Sequence, residues 1–494
     1  MTLGVVVGRS RFGCVRRLRE VRKNHRRSVL EPRHSSSGRL RALVAVVPLF
    51  VALGCSSTLP TPEGFSAPVA SPPAAEADRP TGELVAAAVG GHATEAELDA
   101  LRARGPAALD ALLAAYDALP VERRPAARSA IDHVAAQRDA DVSRLYWYTD
   151  FEQAKRAARD AGKPILSLRM LGRLTDDLSC ANSRFFRTTL YANSVVSKEL
   201  REKFILHWST EREAPLVTID FRDGRKIQRT ITGNSLHYVL DADGRPLDAI
   251  PGLYAPDAFL AALADAESLA ETERRADGAD AAKVVAAHHR AKVGAFASTW
   301  RVATTSVGFP NAAPPVAFAS APTAPPSQLP SAAIAMPIAA PKAAVEMPIL
   351  QATQQPADGM LVASPSVVPS EVWAALARAK QGSTHLDDQS RRLVARKEPM
   401  EWRDAAGPRP LQGAELDALF ARFEAKMAED TVKNELDLHA RIHGWLADDR
   451  GVDLKTLNER VYREIFLTPA SDPWLGLVPP DAFTGIQGDG IVTK

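Results

Sequence analysis

The sequence predicts an α/β region flanked on both sides by helical segments, and three observations carry that reading. Between Tyr146 and Ala266, short apolar runs alternate with amphipathic helical stretches. From Glu95 to Ala140, and again from Glu371 onward, apolar residues recur only at helical spacing. Stretches rich in Pro, Ala and Ser, from Ser56 to Pro80 and from Gly308 to Ser370, separate the patterned parts. The organisation expected is a leader over 1–54, a low-complexity tether over 55–82 and a helical hairpin region over 83–142. An α/β region over 143–268, a helical extension over 269–307, a Pro/Ala-rich linker over 308–370 and a separate all-helical C-terminal domain over 371–494 follow.

The first helical region reads from Leu98, Leu101, Leu109, Leu112, Leu113 and Tyr116, with Gly105-Pro106 and Leu119-Pro120 as breaks and Ile131 and Val134 continuing in a further helix. It resembles a short HEAT-like hairpin, or else a simple helical preface packed on the next region. After Tyr146-Trp147-Tyr148, a helix over 150–161 ends at Gly162-Lys163-Pro164, and Ile165-Leu166-Ser167-Leu168 is a buried strand. Cys180 stands at the start of a helix running toward Tyr191, and a helix over 197–203 precedes the strand 204–208. Val217, Ile219 and Phe221 alternate, Asp223-Gly224 turns, and Ile227, Arg229 and Ile231 return. Tyr238-Val239-Leu240, the turn Asp241-Ala242-Asp243-Gly244, a last strand and a helix over 256–266 finish the region.

With 494 residues, 46% of them hydrophobic and 24% charged, the chain has apolar matter for real cores. The net charge of +2 hides an asymmetry: arginine and lysine crowd the first forty residues, and the remainder is nearly balanced. Without that segment nothing basic points to nucleic acid. The sequence contains no glycine-rich phosphate loop, no Gly-x-Ser-x-Gly elbow and no His-Glu-x-x-His, which argues against enzymes built on those chemistries.

The cysteines, Cys14, Cys55 and Cys180, constrain the chemistry most tightly. The uncharged run from Leu43 to Gly54 follows Arg39 and Arg41 and is too short for an ordinary spanning helix, which needs about 20 residues. It matches a signal-peptide core. Ala52-Leu53-Gly54-Cys55 resembles the bacterial lipobox, with Ala52 where leucine is the usual residue. That resemblance implies cleavage before Cys55, lipidation of its thiol and a membrane anchor. The competing reading is an ordinary secretory signal or a buried segment. On the lipoprotein reading Cys180 is the only free thiol of the mature chain, so a disulfide formed there is intermolecular.

From Leu145 to Glu267, about a quarter of the chain, the order of elements is similar to thioredoxin-fold proteins. Where that family has Cys-x-x-Cys, this chain has Cys180-Ala181-Asn182-Ser183, and Ser235 occupies the place of the family's cis-proline. The resemblance implies that Cys180, at a helix N-terminus, is favoured as a thiolate. Ser183, where the resolving cysteine is missing, leaves a mixed disulfide without an internal exit. Two readings stay open: a protein-binding or structural module, and monothiol exchange or thiol holding through Cys180.

In the tail, His288-His289 reads as a solvated helical face, and Glu435, His439 and His443 flank an apolar stripe at i, i+4 and i+8. That spacing admits a metal, but no metal ligand and no cofactor is assigned from sequence. The ending around Pro473-Trp474-Leu475 is apolar and full of breakers, and is expected to wrap back onto the helices. The expected protein is an exported lipoprotein facing the periplasm or cell exterior, held by its lipid and partnered by another envelope protein.

Overall fold

The structure is a computed structural model. It describes residues 78–230, 233–276, 278–315, 368–401, 407–448, 451–475, 486–487 and 491–492. The leader, Cys14, Cys55, most of the tether, Ile231 and most of the Pro/Ala-rich linker lie outside them. The described residues belong to one compact unit, Pro62–Lys494.

Helices α1 (Thr81–Gly90), α2 (Glu95–Ala103), α3 (Pro106–Asp117), α4 (Arg124–Ala135) and the short α5 (Ala140–Ser143) open the chain. Thr94 and Glu97 form a reciprocal capping box at α2, and proline stands in the first turn of α3 and of α4, where its missing N–H costs nothing. Leu84, Leu101, Leu109, Leu112, Ile131 and Val134 close a core of their own. The helical expectation for 83–142 holds, but α1 makes the region a small bundle rather than one hairpin. Its apolar face is rich in alanine, a weak periodic signal.

The central region begins with α6 (Phe151–Ala161), capped by Asp150 through the backbone of Gln153 and ended by Gly162 at φ 63°. Strands β1 (Ile165–Leu171) and β2 (Ile205–Arg212) are parallel, in the register Ile165 to Ile205. Between them run α7 (Ala181–Phe185), a wider π turn over Phe186–Leu190, and α8 (Ser194–Lys203). The hairpin β3 (Leu216–Asp220) and β4 (Lys226–Thr230) pairs only with itself. β5 (Leu236–Leu240) lies antiparallel to β1, and β6 (Pro246–Pro251) antiparallel to β5, giving a four-stranded sheet in the order β2-β1-β5-β6.

Every residue of β5 and β6 is buried, so both faces of this end of the sheet are covered. The β2 edge is covered too. Tyr148 bridges to it, donating its N–H to the Leu206 carbonyl at 2.8 Å and accepting from the Trp208 N–H at 3.1 Å. Trp147 beside it is fully buried and donates its indole N–H to Gln137 Oε1 at 2.7 Å. Arg102 of α2, also buried, donates to the carbonyls of Val134 and Trp147, fastening the N-terminal helices to the sheet edge.

Helices α9 (Pro256–Arg274) and α10 (Ala279–Ser306) follow. The C-terminal part holds α11 (Ser370–Lys380), α12 (Asp388–Arg396), the two-residue strands β7 (Met400–Glu401) and β8 (Arg409–Pro410), α13 (Ala414–Lys433), α14 (His439–Asp448) and α15 (Leu454–Glu464). It is helical as expected but not separate. Leu386, Phe420, Met427, Ile442, Leu446, Leu457, Val461 and Phe466 belong to the same apolar cluster as Leu166, Tyr238 and Phe259 of the sheet region. An amphipathic helix must bury its stripe somewhere, and a long linker adds little closure cost when the chain returns to an existing core. No helix among the described residues is long and apolar enough to cross a membrane.

Candidate functional site

Cys180 lies between β1 and β2, at the residue that caps α7. Its backbone N–H donates to the Leu171 carbonyl at the end of β1, at 3.2 Å, which fixes the sulfur over the sheet. The Sγ is 3.0 Å from the Ser235 Oγ and 3.5 Å from the Ser183 Oγ. The structure thus brings together the three positions singled out in the sequence. It also shows the thiol side chain wholly inaccessible, at 0% exposure, with Ser183 and Ser235 equally buried. The expected helix from Cys180 toward Tyr191 is present as five residues of α-helix that continue into a π turn ending at Leu190.

The chain's own C-terminal segment packs on the loop that carries Ser235. The Tyr462 hydroxyl donates to the Asn234 carbonyl at 3.2 Å, and the Asn234 amide donates to Thr468 Oγ1 at 2.9 Å. Tyr238 of β5 donates to Asn458 Oδ1 at 3.2 Å. Arg212, at the end of β2, donates to the carbonyls of Asp472 and Thr468 at 2.7 and 2.9 Å. The described part of the ending, up to Leu475, thus wraps back, and it does so onto the loop that carries Ser235. Phe185 of α7 stacks obliquely on Phe423 of α13 at 4.9 Å, closing a second side.

A different cluster forms at the opposite edge strand, β6. Asp248 is buried there, and His439 Nε2 lies 2.9 and 3.0 Å from its two carboxylate oxygens. His443, one turn on, places Nδ1 3.9 Å from Asp248 Oδ1. His289 of α10 contributes Nδ1 at 2.9 Å from His443 Nδ1, and its Nε2 lies 2.8 Å from the Leu247 carbonyl. Burial by itself pushes the Asp248 carboxyl up, but the charge and hydrogen bond of His439, with His443 and His289 beyond, hold it well below the ordinary carboxylate range. Burial lowers both His289 and His443, so their neutral forms are favoured.

The sequence reading of His288-His289 as a solvated face holds for neither residue. His289 is fully buried, and His288, half-buried, lies 3.2 Å from Asp265. Glu435, grouped by spacing with His439 and His443, instead pairs with Lys380 at 2.5 Å. The i, i+4 spacing of the two histidines was the one legible signal. Asp248 carried none and His289 only its place in the His288-His289 pair, because they sit on other elements and meet α14 only in the fold. Compared with known proteins, the chain matches no family model, no curated protein and no solved structure.

Proposed function

We propose that the chain is an exported envelope lipoprotein, anchored at Cys55, whose central region is thioredoxin-like and serves as a protein-binding or structural module. Support for the thioredoxin-like reading comes from the cysteine at a helix start between two parallel strands. The antiparallel pair β5 and β6, its Asp241 to Gly244 turn and the helix α9 that follows add to it. The observation that carries the module reading is the complete burial of Cys180, with the chain's own C-terminal segment packed on the loop that carries Ser235. A thiol that exchanges with partner disulfides must present its sulfur for in-line attack, and this one faces Ser235 and the core.

Two measurements test the proposal. Native protein is treated with a maleimide and analysed by mass spectrometry. The module reading expects Cys180 to react only after denaturation, whereas rapid native labelling, or mixed disulfides recovered from cells that Cys180→Ala abolishes, establishes the monothiol reading instead. Anchoring is tested by palmitate labelling in cells, with incorporation expected in the wild type and lost in Cys55→Ala. Incorporation unchanged by that variant overturns the lipoprotein reading.

A further inference from the structure

We propose that Asp248, His289 and His443 form a binding site for one divalent cation of the zinc type, assembled from β6, α10 and α14. One donor atom from each residue lies within 4.8 Å of the other two. A cation bound to imidazole nitrogen and carboxylate oxygen at about 2.1 Å needs donors about 3.0 to 3.4 Å apart. The observed spacings of 2.9 Å between the histidine nitrogens and 3.9 Å from His443 to Asp248 bracket that range. The third spacing, from His289 to Asp248, is within 4.8 Å, so closing the site on a cation requires side-chain rotation.

The surroundings are those of a built site. His289 points its Nε2 at the Leu247 carbonyl, so that nitrogen carries the proton and Nδ1 offers its lone pair inward. Asp248 is oriented by His439, whose Nε2 is within hydrogen-bond distance of both oxygens and whose ring stacks on His443 with centroids 4.1 Å apart. His439 is therefore a positioning residue, held in turn by Tyr254, whose hydroxyl is 3.5 Å from its Nδ1. Without a cation, His443 donates its Nδ1 proton to His289. With one, that proton moves to His443 Nε2 and both Nδ1 lone pairs face the ion. The His443 side chain keeps 14% of its surface exposed, and that solvent side is where a cation would enter and a further ligand would bind. Two imidazoles and one carboxylate select a borderline first-row cation over magnesium or calcium, which take oxygen ligands.

The test uses the full chain, stripped with a chelator and dialysed, and titrated with zinc in competition with a chromophoric chelator. Cobalt serves as a spectroscopic probe and magnesium as a negative control. One equivalent of zinc is expected to bind and to raise the melting temperature, with visible cobalt bands and no response to magnesium. His443→Gln, at the rim, is the primary variant and should weaken zinc by roughly 100-fold or more, with the circular dichroism of the fold retained. His439→Gln should weaken it by roughly 10- to 100-fold through loss of Asp248 orientation. His92→Gln, at an exposed histidine, should change nothing. Where His289→Gln fails to fold, His443→Gln decides alone. Absence of zinc binding by the wild type, or one-equivalent zinc retained undiminished by His443→Gln, overturns the proposal.

Discussion

Arg212 and Asp472 are 260 residues apart in sequence, and the guanidinium of the first donates to the carbonyl of the second at 2.7 Å. The same guanidinium reaches the Thr468 carbonyl, so one forked cation ties the end of β2 to the segment that closes over Asn234, beside Ser235. Arg212→Ala should loosen that segment. Native maleimide labelling of Cys180, followed by mass spectrometry, should accelerate by roughly 10-fold or more as local opening becomes cheaper. Arg212→Lys should not restore protection, since an ammonium has no fork to span two carbonyls. An unchanged labelling rate in Arg212→Ala would mean that the clasp contributes nothing to closure.

Cys180 itself behaves structurally as a small apolar side chain within the core cluster. Cys180→Ala should cost about 1 kcal/mol in a urea titration, the usual cost of losing one methyl-sized group from a packed site. A loss several times larger would point to a role for the sulfur beyond packing.

Two histidines inside the sheet region make the fold sensitive to acid. His237 is enclosed by Phe186, Phe259 and Tyr191, whose hydroxyl oxygen is 2.6 Å from its Nε2, and burial pushes its pKa from 6.5 down to about 3. Burial, with Arg169 nearby, drives His207 well below its ordinary value as well. The unfolded chain takes up these protons near pH 6.5 while the folded chain refuses them. Their contribution is therefore complete above about pH 6.5 and is lost as the pH falls below it, down to about 3 for His237, at about 1.4 kcal/mol per pH unit for each histidine. The double variant His237→Phe with Tyr191→Phe, which leaves no orphaned hydroxyl, should flatten the measured dependence by one proton. A slope identical to wild type between pH 4 and 6 would refute the assignment.

Asp132 has the opposite sign. Its Oδ1 accepts from the Ala140 N–H at 2.9 Å, yet burial, joined by the charges of Asp139 and Asp141, pushes the carboxyl up to about 7. The folded chain holds this proton where the unfolded chain has released it. Its contribution is full below about pH 4 and declines as the pH rises through 7. Asp132→Asn keeps the acceptor and removes the titration. It should be roughly 1 to 3 kcal/mol more stable than wild type at pH 8, with the advantage vanishing near pH 4. Denaturant midpoints at the two pH values measure this directly.

The central region was legible because its signals are local. Alternation in Val217 and Ile219, the Asp-x-Asp-Gly turn, and the Asp150 cap with Gly162 each specify an element without help from elsewhere. The helices of the C-terminal part were legible for the same reason, from stripes such as Leu457, Val461 and Ile465. Their destination was not. A stripe states that a face must be buried and is silent about the surface that receives it. The separate domain expected from the long linker is instead part of the sheet's core.

The candidate sites divide along the same line. Cys180, Ser183 and Ser235 were read from spacing and position, because a short loop and a strand register determine where they stand. That Tyr462 and Thr468 close over Asn234, beside Ser235, depends on residues more than 200 positions away. Periodicity revealed His439 and His443 as neighbours on one helix face. Only packing of α14 and α10 against β6 supplied Asp248 and His289, because donor geometry is a property of three backbones meeting and no single stretch of chain encodes it.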